Sequence, residues 1–162
     1  MTDANPVLVE ETRGDFVECV HRGAFAVVAT SGVVEAAAGE VDRAILPRSS
    51  VKLLQALPLV ESGAAEALRL DDRRLALACA SHQGSATHAA LAAEWLAALG
   101  LGERDLICGP QIPNDRETRN ALRESGAPPS QLHNNCSGKH TGFLALARHM
   151  GAPTADYVAI DH

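Results

Sequence analysis

The sequence predicts an α+β fold in which antiparallel strands come first and packed helices follow. Three observations carry this reading. The first forty residues hold short β-leaning runs separated by turn chemistry. From Ser49 onward, apolar residues recur between capping residues and Gly or Pro stops. No internal repeat, low-complexity tract or domain boundary interrupts the sequence, so residues 1–162 are expected to act as one unit.

The first two runs are Val7 to Glu11 and Phe16 to Val20, parted by Arg13-Gly14-Asp15. Ala24 to Thr30 and Val33 to Ala37 flank Ser31-Gly32, a two-residue connection whose small, φ-tolerant chemistry suits a hairpin. Together these runs predict an antiparallel sheet. Gly39 to Asp42 reads as a loop leading into a helix that begins at Ser49 and runs through Ala56; Pro58 kinks or ends it, and Gly63 closes the unit. Asp71 and Asp72 suit the N-cap and first turn of the next helix, whose apolar body ends in polar Ser81-His82 just before Gly84. Ser85 caps an alanine-rich helix reaching Leu99, with Leu91, Trp95, Leu96 and Leu99 on a 3-4 spacing and Gly100 as its stop. His88 within it reads as an exposed or capping residue. Gly109 to Asn114 is a rigid loop, Asp115 to Ser125 a short charged helix, Gly126-Ala127-Pro128-Pro129 a break, and Ala145 to Met150 a last helix.

Composition narrows the function. With 46% hydrophobic but only 3% aromatic residues, a core of Ala, Leu and Val is expected. The net charge of −6 argues against a general nucleic-acid binder, which needs a basic face. No apolar run reaches the roughly 18 residues that span a bilayer, and the N-terminus carries no leader pattern, so no membrane association and a cytoplasmic location are expected. Cys19, Cys79, Cys108 and Cys136 include no CxxC pair and read as free thiols.

Two clusters carry chemistry. Leu46 to Gln55 places Ser49 and Lys52 three residues apart at the start of an apolar helix, where a hydroxyl and an amine can share a face. Ser50 cannot make that pairing. An ammonium partly desolvated by Leu46, Val51 and Leu53 would lose its proton more readily and could activate Ser49 as a nucleophile; the competing reading is a serine cap beside a solvated lysine. The second cluster, His133 to Thr141, crowds two histidines, two amides, a thiol, hydroxyls and an amine into one short stretch. Asn134, Asn135 and backbone N–H groups there could bind a carboxylate or oxyanion. It is not a phosphate loop, because the leading glycine is missing and His140 stands where Ser or Thr should follow Lys139. Cys136, His133 and His140 do not complete a four-ligand zinc site, so spacing alone favours a hydrogen-bonded, capped loop over a metal centre.

The chain resembles the rhizobial-type, or thermolabile, L-asparaginases. Four blocks in order carry the likeness: Arg48-Ser49-Ser50-Val51-Lys52, Gln55 to Gly63, Cys79-Ala80-Ser81-His82-Gln83-Gly84, and His133 to His140. The resemblance implies a fold similar to serine β-lactamases and glutaminases, and an amidohydrolase that converts L-asparagine to L-aspartate and ammonia. It makes Ser49 the nucleophile, Lys52 its base and Ser81 a second serine beside them. Arg48, His82 and Asn134 would then contact substrate, and Cys136 with Lys139 would ligate a zinc ion, in place of the capped loop that spacing alone favours. Ser85 departs from the acidic residue common after the Gly84 position.

Family members are longer, and their second catalytic lysine and remaining cysteine ligand lie in the half that would follow His162. The chain is therefore expected to be an incomplete, N-terminal half with an open sheet edge and an uncovered apolar face, little or no activity on its own, and association either as a homodimer or with a missing C-terminal half. Two alternatives share parts of the pattern. A penicillin-recognising serine acyl hydrolase would use the same Ser-Lys pairing, but Ser-Asp-Asn and Lys-Thr-Gly are absent. A non-catalytic zinc-binding or interaction module would use Ser49 only as a cap.

Overall fold

The computed structural model describes residues 4–162, so the first three positions of the expected 1–162 unit lie outside the described residues. Contacts cluster into two compact units, one ending at Leu46 and the other starting at Pro47. The two are described in turn.

In the first unit, β1 (Val7–Arg13) pairs antiparallel with β2 (Phe16–Arg22), and β3 (Phe25–Val28) with β4 (Val34–Ala38). The turn chemistry read from sequence closes both hairpins. Gly14 adopts φ 61° between Arg13 and Phe16, and Gly32 adopts φ 85° while donating to Ala29 O. The expected single sheet is instead two separate two-stranded ribbons. Gly23 N–H is spent on Pro6 O, and Asn5 Oδ1 takes Glu40 N–H, so these contacts link the ribbon ends without a shared ladder. Strand residues show no alternation between buried and exposed: all but Ala38 are exposed, Phe16 at 71%.

The second unit is helical: α1 (Lys52–Glu61), α2 (Ala64–Ala67), α3 (Asp72–Cys79), α4 (Ala86–Ala98), α5 (Arg116–Ser125) and α6 (Ser137–His149). Caps foreseen in the sequence start three of them. Asp71 accepts from Arg74 N–H at 2.9 Å, Ser85 from His88 N–H at 3.4 Å, and Asp115 from Thr118 N–H at 2.8 Å. Gly126 at φ 70° ends α5 in the left-handed conformation of a C-terminal cap.

Three boundaries differ from the sequence reading. Pro58 sits inside α1 without ending it; the carbonyl it strands, Leu54 O, lies on an exposed residue where water can serve it, and Ser62 closes the helix on Pro58 O. Helix α3 stops at Cys79 and leaves Ser81 and His82 in extended chain. Helix α6 begins at Ser137, eight residues ahead of the expected Ala145, with Gly138 and Gly142 inside it.

Those two glycines explain the packing. A Cβ on Gly138 would lie 2.5 Å from Leu77 O, and one on Gly142 would lie 3.2 Å from Leu59 Cδ1 and 3.4 Å from Ala78 Cβ. Spaced four apart on one face, they let the α6 backbone approach α3 and α1 more closely than any side chain would permit. The core around this junction is Ala56, Leu59, Ala64, Ala78, Ala145 and the single Trp95, which supplies the bulk that alanine lacks. A second cluster joins Leu96, Leu106, Leu144 and Tyr157. The core is Ala and Leu as expected but contains no fully buried valine among the described residues, since seven of the valines stand on the exposed ribbons.

Candidate active site

Every candidate catalytic, substrate-binding and metal-ligating residue lies in the helical unit, but Leu46 and Leu53, expected to desolvate Lys52, are exposed, so the burial of Lys52 comes from other residues. After Pro47 the chain makes a single 3-10 turn over Arg48–Val51, and α1 starts at Lys52. The spacing of three is kept across the junction, but Ser49 is exposed and Lys52 buried, and their side chains form no hydrogen bond with each other among the described residues. Arg48 is exposed and takes φ 51°, the left-handed region, so strain is stored beside Ser49. The two neighbouring serines differ: Ser50 Oγ donates to Pro47 O at 2.6 Å, whereas Ser49 Oγ is exposed and has no hydrogen-bond partner among the described residues.

Lys52 is only 2% exposed. A buried amine needs acceptors, and its Nζ donates to Ala80 O at 2.5 Å and Asn135 O at 3.2 Å. These two bonds leave one tetrahedral direction on Nζ uncommitted. They also join three of the sequence blocks at one atom: Ala80 O belongs to the peptide that leads into Ser81, and Asn135 O to the one that leads into Cys136. Ser81 is exposed directly beside the carbonyl that Lys52 holds.

His82 is buried, with both ring nitrogens taken by the protein. Gly84 N–H donates to Nδ1 at 3.1 Å, so Nδ1 is the acceptor and Nε2 carries the hydrogen toward Ser137 Oγ at 2.9 Å. Desolvation, then the nearby His88 and Lys52, hold its pKa down to about 4. His88 stacks on His82 with centroids 4.9 Å apart and bonds the Ser85 cap at 2.6 Å, which gives the non-acidic Ser85 position a structural use. The Asn134 amide is likewise occupied. Its Nδ2 donates to Cys108 O and Gly109 O at 2.9 and 3.0 Å, and its Oδ1 accepts from Cys136 N–H at 2.8 Å.

Cys136 is half-buried at the N-cap of α6, and Lys139 Nζ lies 5.6 Å from the Phe143 ring centre, a cation–π distance. Cys108 stands within electrostatic reach of both, its thiol pushed up to about 11, chiefly by burial. An open zinc site takes three protein ligands; among the described residues no group of three His, Cys, Asp or Glu converges, so Cys136 and Lys139 would need a further donor to hold the ion. His140 is not a third donor aimed at Cys136. Its Nδ1 accepts from Tyr157 OH at 2.8 Å, which in turn accepts Ile107 N–H at 3.1 Å; burial first, then Lys139 and Lys52, lower its pKa to about 4.

Sequence reasoning missed the carbonyls of Ala80 and Asn135, Ser137 and Cys108. Backbone carbonyls leave no residue signal. The lysines did leave one: the chain has twelve arginines and only two lysines, Lys52 and Lys139, both inside the polar blocks. Comparison with known proteins adds one match. A family model described as L-asparaginase II covers residues 9–162. No curated protein matches the chain.

Proposed function

We propose that this chain, which belongs to the L-asparaginase II family, carries the serine–lysine machinery of an amidohydrolase acting on the side-chain amide of L-asparagine. The observation that supports this most is the contrast at the start of α1. Lys52 is buried and held by carbonyls from both polar loops, while the Ser49 hydroxyl, three residues away, is exposed and unbonded among the described residues and that of Ser50 is tied back.

In this reading Ser49 Oγ attacks the amide carbon and Lys52, in its amine form, takes the hydroxyl proton. The C–O bond forms as the carbonyl oxygen becomes an oxyanion, for which backbone N–H groups at the turn are the donors. Collapse breaks the C–N bond; the departing nitrogen takes the proton back from Lys52 and leaves as ammonia. Water then attacks the acyl-serine with Lys52 again accepting its proton, and as the C–O bond to Ser49 breaks Lys52 returns that proton to Ser49 Oγ, releasing aspartate. Ser81, beside the Ala80 carbonyl, is the second serine of the site. Arg48 is exposed next to Ser49 and suits a substrate carboxylate, whereas His82 and Asn134, whose polar atoms are spent on the protein, serve the substrate by shaping the two loops. No step is assigned to a metal. The same reading takes the fold to be of the serine β-lactamase and glutaminase kind, working in the cytoplasm as a homodimer.

Since the chain alone is expected to have little or no turnover, mass-spectrometric trapping of an aspartyl adduct on the Ser49 peptide, read beside whatever ammonia L-asparagine releases, tests it. Ser49→Ala is expected to lose both signals and Ser50→Ala to keep them within about twofold. An adduct on Ser50, or turnover that survives Ser49→Ala, overturns the reading.

A further inference from the structure

His82 grips the opposite loop at two points. Its backbone N–H donates to Asn135 O at 3.2 Å, the same oxygen that receives Lys52 Nζ, and its Nε2–H reaches Ser137 Oγ. Ser137 is fully buried at the first position of α6. Its hydroxyl accepts from His82 and so must donate elsewhere, which it does to Leu132 O at 3.0 Å, while its own N–H donates to Asn134 O at 2.9 Å. The chain of bonds therefore has one direction: Gly84 N–H to His82 Nδ1, His82 Nε2–H to Ser137 Oγ, Ser137 O–H to Leu132 O. Reversing any member leaves a buried donor facing a donor. Ala80 and Asn135, the two residues whose carbonyls fix Lys52 Nζ, flank this clamp on either side.

We propose that Ser137 is a positioning residue for Lys52: through His82 it locks the Ala80–Ser81 segment against Asn135, and so sets the two carbonyls that orient the Lys52 amine. The proposal deepens the reading of Lys52 as the base and rests on it for its catalytic meaning. A bulk packing role would not require this polarity, since alanine would fill nearly the same space.

With only two lysines in the chain, lysine labelled with carbon-13 at Cε gives two side-chain signals, assigned by Lys139→Arg. Ser137→Ala is expected to displace the Lys52 signal by more than a linewidth and leave that of Lys139 in place. Displacement of neither signal, or of both alike, overturns the proposal. Should Ser137→Ala fail to fold, the native chain decides through nitrogen-15 imidazole shifts: His82 with its hydrogen on Nε2 supports the clamp, and hydrogen on Nδ1 overturns it. Neither readout needs turnover. An aspartyl adduct on Ser50 in place of Ser49, found while Lys52 still shifts in Ser137→Ala, defeats the hydrolase reading and leaves the clamp standing. Where turnover is measured, kcat in Ser137→Ala is expected to fall roughly 10- to 100-fold with KM within about twofold, the pattern of a misoriented base.

Discussion

The strands before Leu46 and the helices after Pro47 use their apolar residues in opposite ways. In the ribbons, Val9, Phe16 and Val34 stand on paired backbone yet stay more than half exposed, whereas in the helices Trp95, Leu96 and Leu144 are sealed at 1% or less. Hydrogen-bonded ladders satisfy the ribbon backbone without enclosing anything. The helices bury side chains because two glycines of α6 let it close on α3 and α1, and that closure is what carries Lys52, Ala80 and Asn135 to one point. Stability and site geometry thus belong to the same few contacts, and a ribbon residue should matter far less than a junction residue of equal size.

Lys52→Met tests this contrast most severely. It strands the part-buried carbonyl of Ala80, worth about 1–3 kcal/mol, while Asn135 O keeps the His82 N–H, and is expected to lower unfolding stability by about 1–3 kcal/mol in urea titrations while removing any turnover. Breaking the exposed Arg13–Glu18 pair of the ribbon with Arg13→Ala should cost at most about 1 kcal/mol by the same measurement. Equal costs would erase the distinction.

Gly138→Ala probes the junction itself. The new methyl meets the Leu77 backbone, which cannot step aside as a side chain could, and a loss of about 1–3 kcal/mol is expected. Phe16→Ser, at a site 71% exposed, should stay within about 0.5 kcal/mol in the same melts, and a larger loss would show that the ribbons enclose a core after all.

A pH series sharpens the picture at His82. Its folded pKa of about 4 lies below the ordinary 6.5, so between those values the unfolded chain binds a proton that the folded chain refuses. Stability is therefore whole above about pH 6.5, declines as pH falls toward 4 and loses nothing more from this group below that. Melting temperatures of the native chain are expected to drop across that window, and His82→Gln to show a shallower slope. The smallest effect concerns zinc: with no group of three His, Cys, Asp or Glu converging among the described residues, micromolar zinc should leave the melting temperature within about 1 °C, and a clear rise would show that Cys136 and Lys139 take part in holding the ion.

The sequence carried much of this unaided. Asp71, Ser85 and Asp115 declared the starts of α3, α4 and α5, and Gly14 and Gly32 the hairpin turns, because each depends on neighbours within one turn of chain. It started the last helix at Ala145 and left Ser137 to Leu144 outside it, although α6 begins at Ser137; glycines at 138 and 142 are poor helix formers on their own. Only the partner surface of Leu77 and Ala78 turns them into helix formers.

The residue order alone thus sets the spacing of Ser49, Lys52, Ser81 and the polar stretch from His133, together with the local caps at Asp71, Ser85 and Asp115. Packing between distant segments decided that Lys52 is held by carbonyls 28 and 83 residues away, that Ser49 rather than Ser50 keeps a hydroxyl with no partner among the described residues, and that His82 spends both nitrogens on the protein. The reason is physical: backbone acceptors carry no side-chain signature, and which of them a buried amine finds is settled by how closely helices can pack.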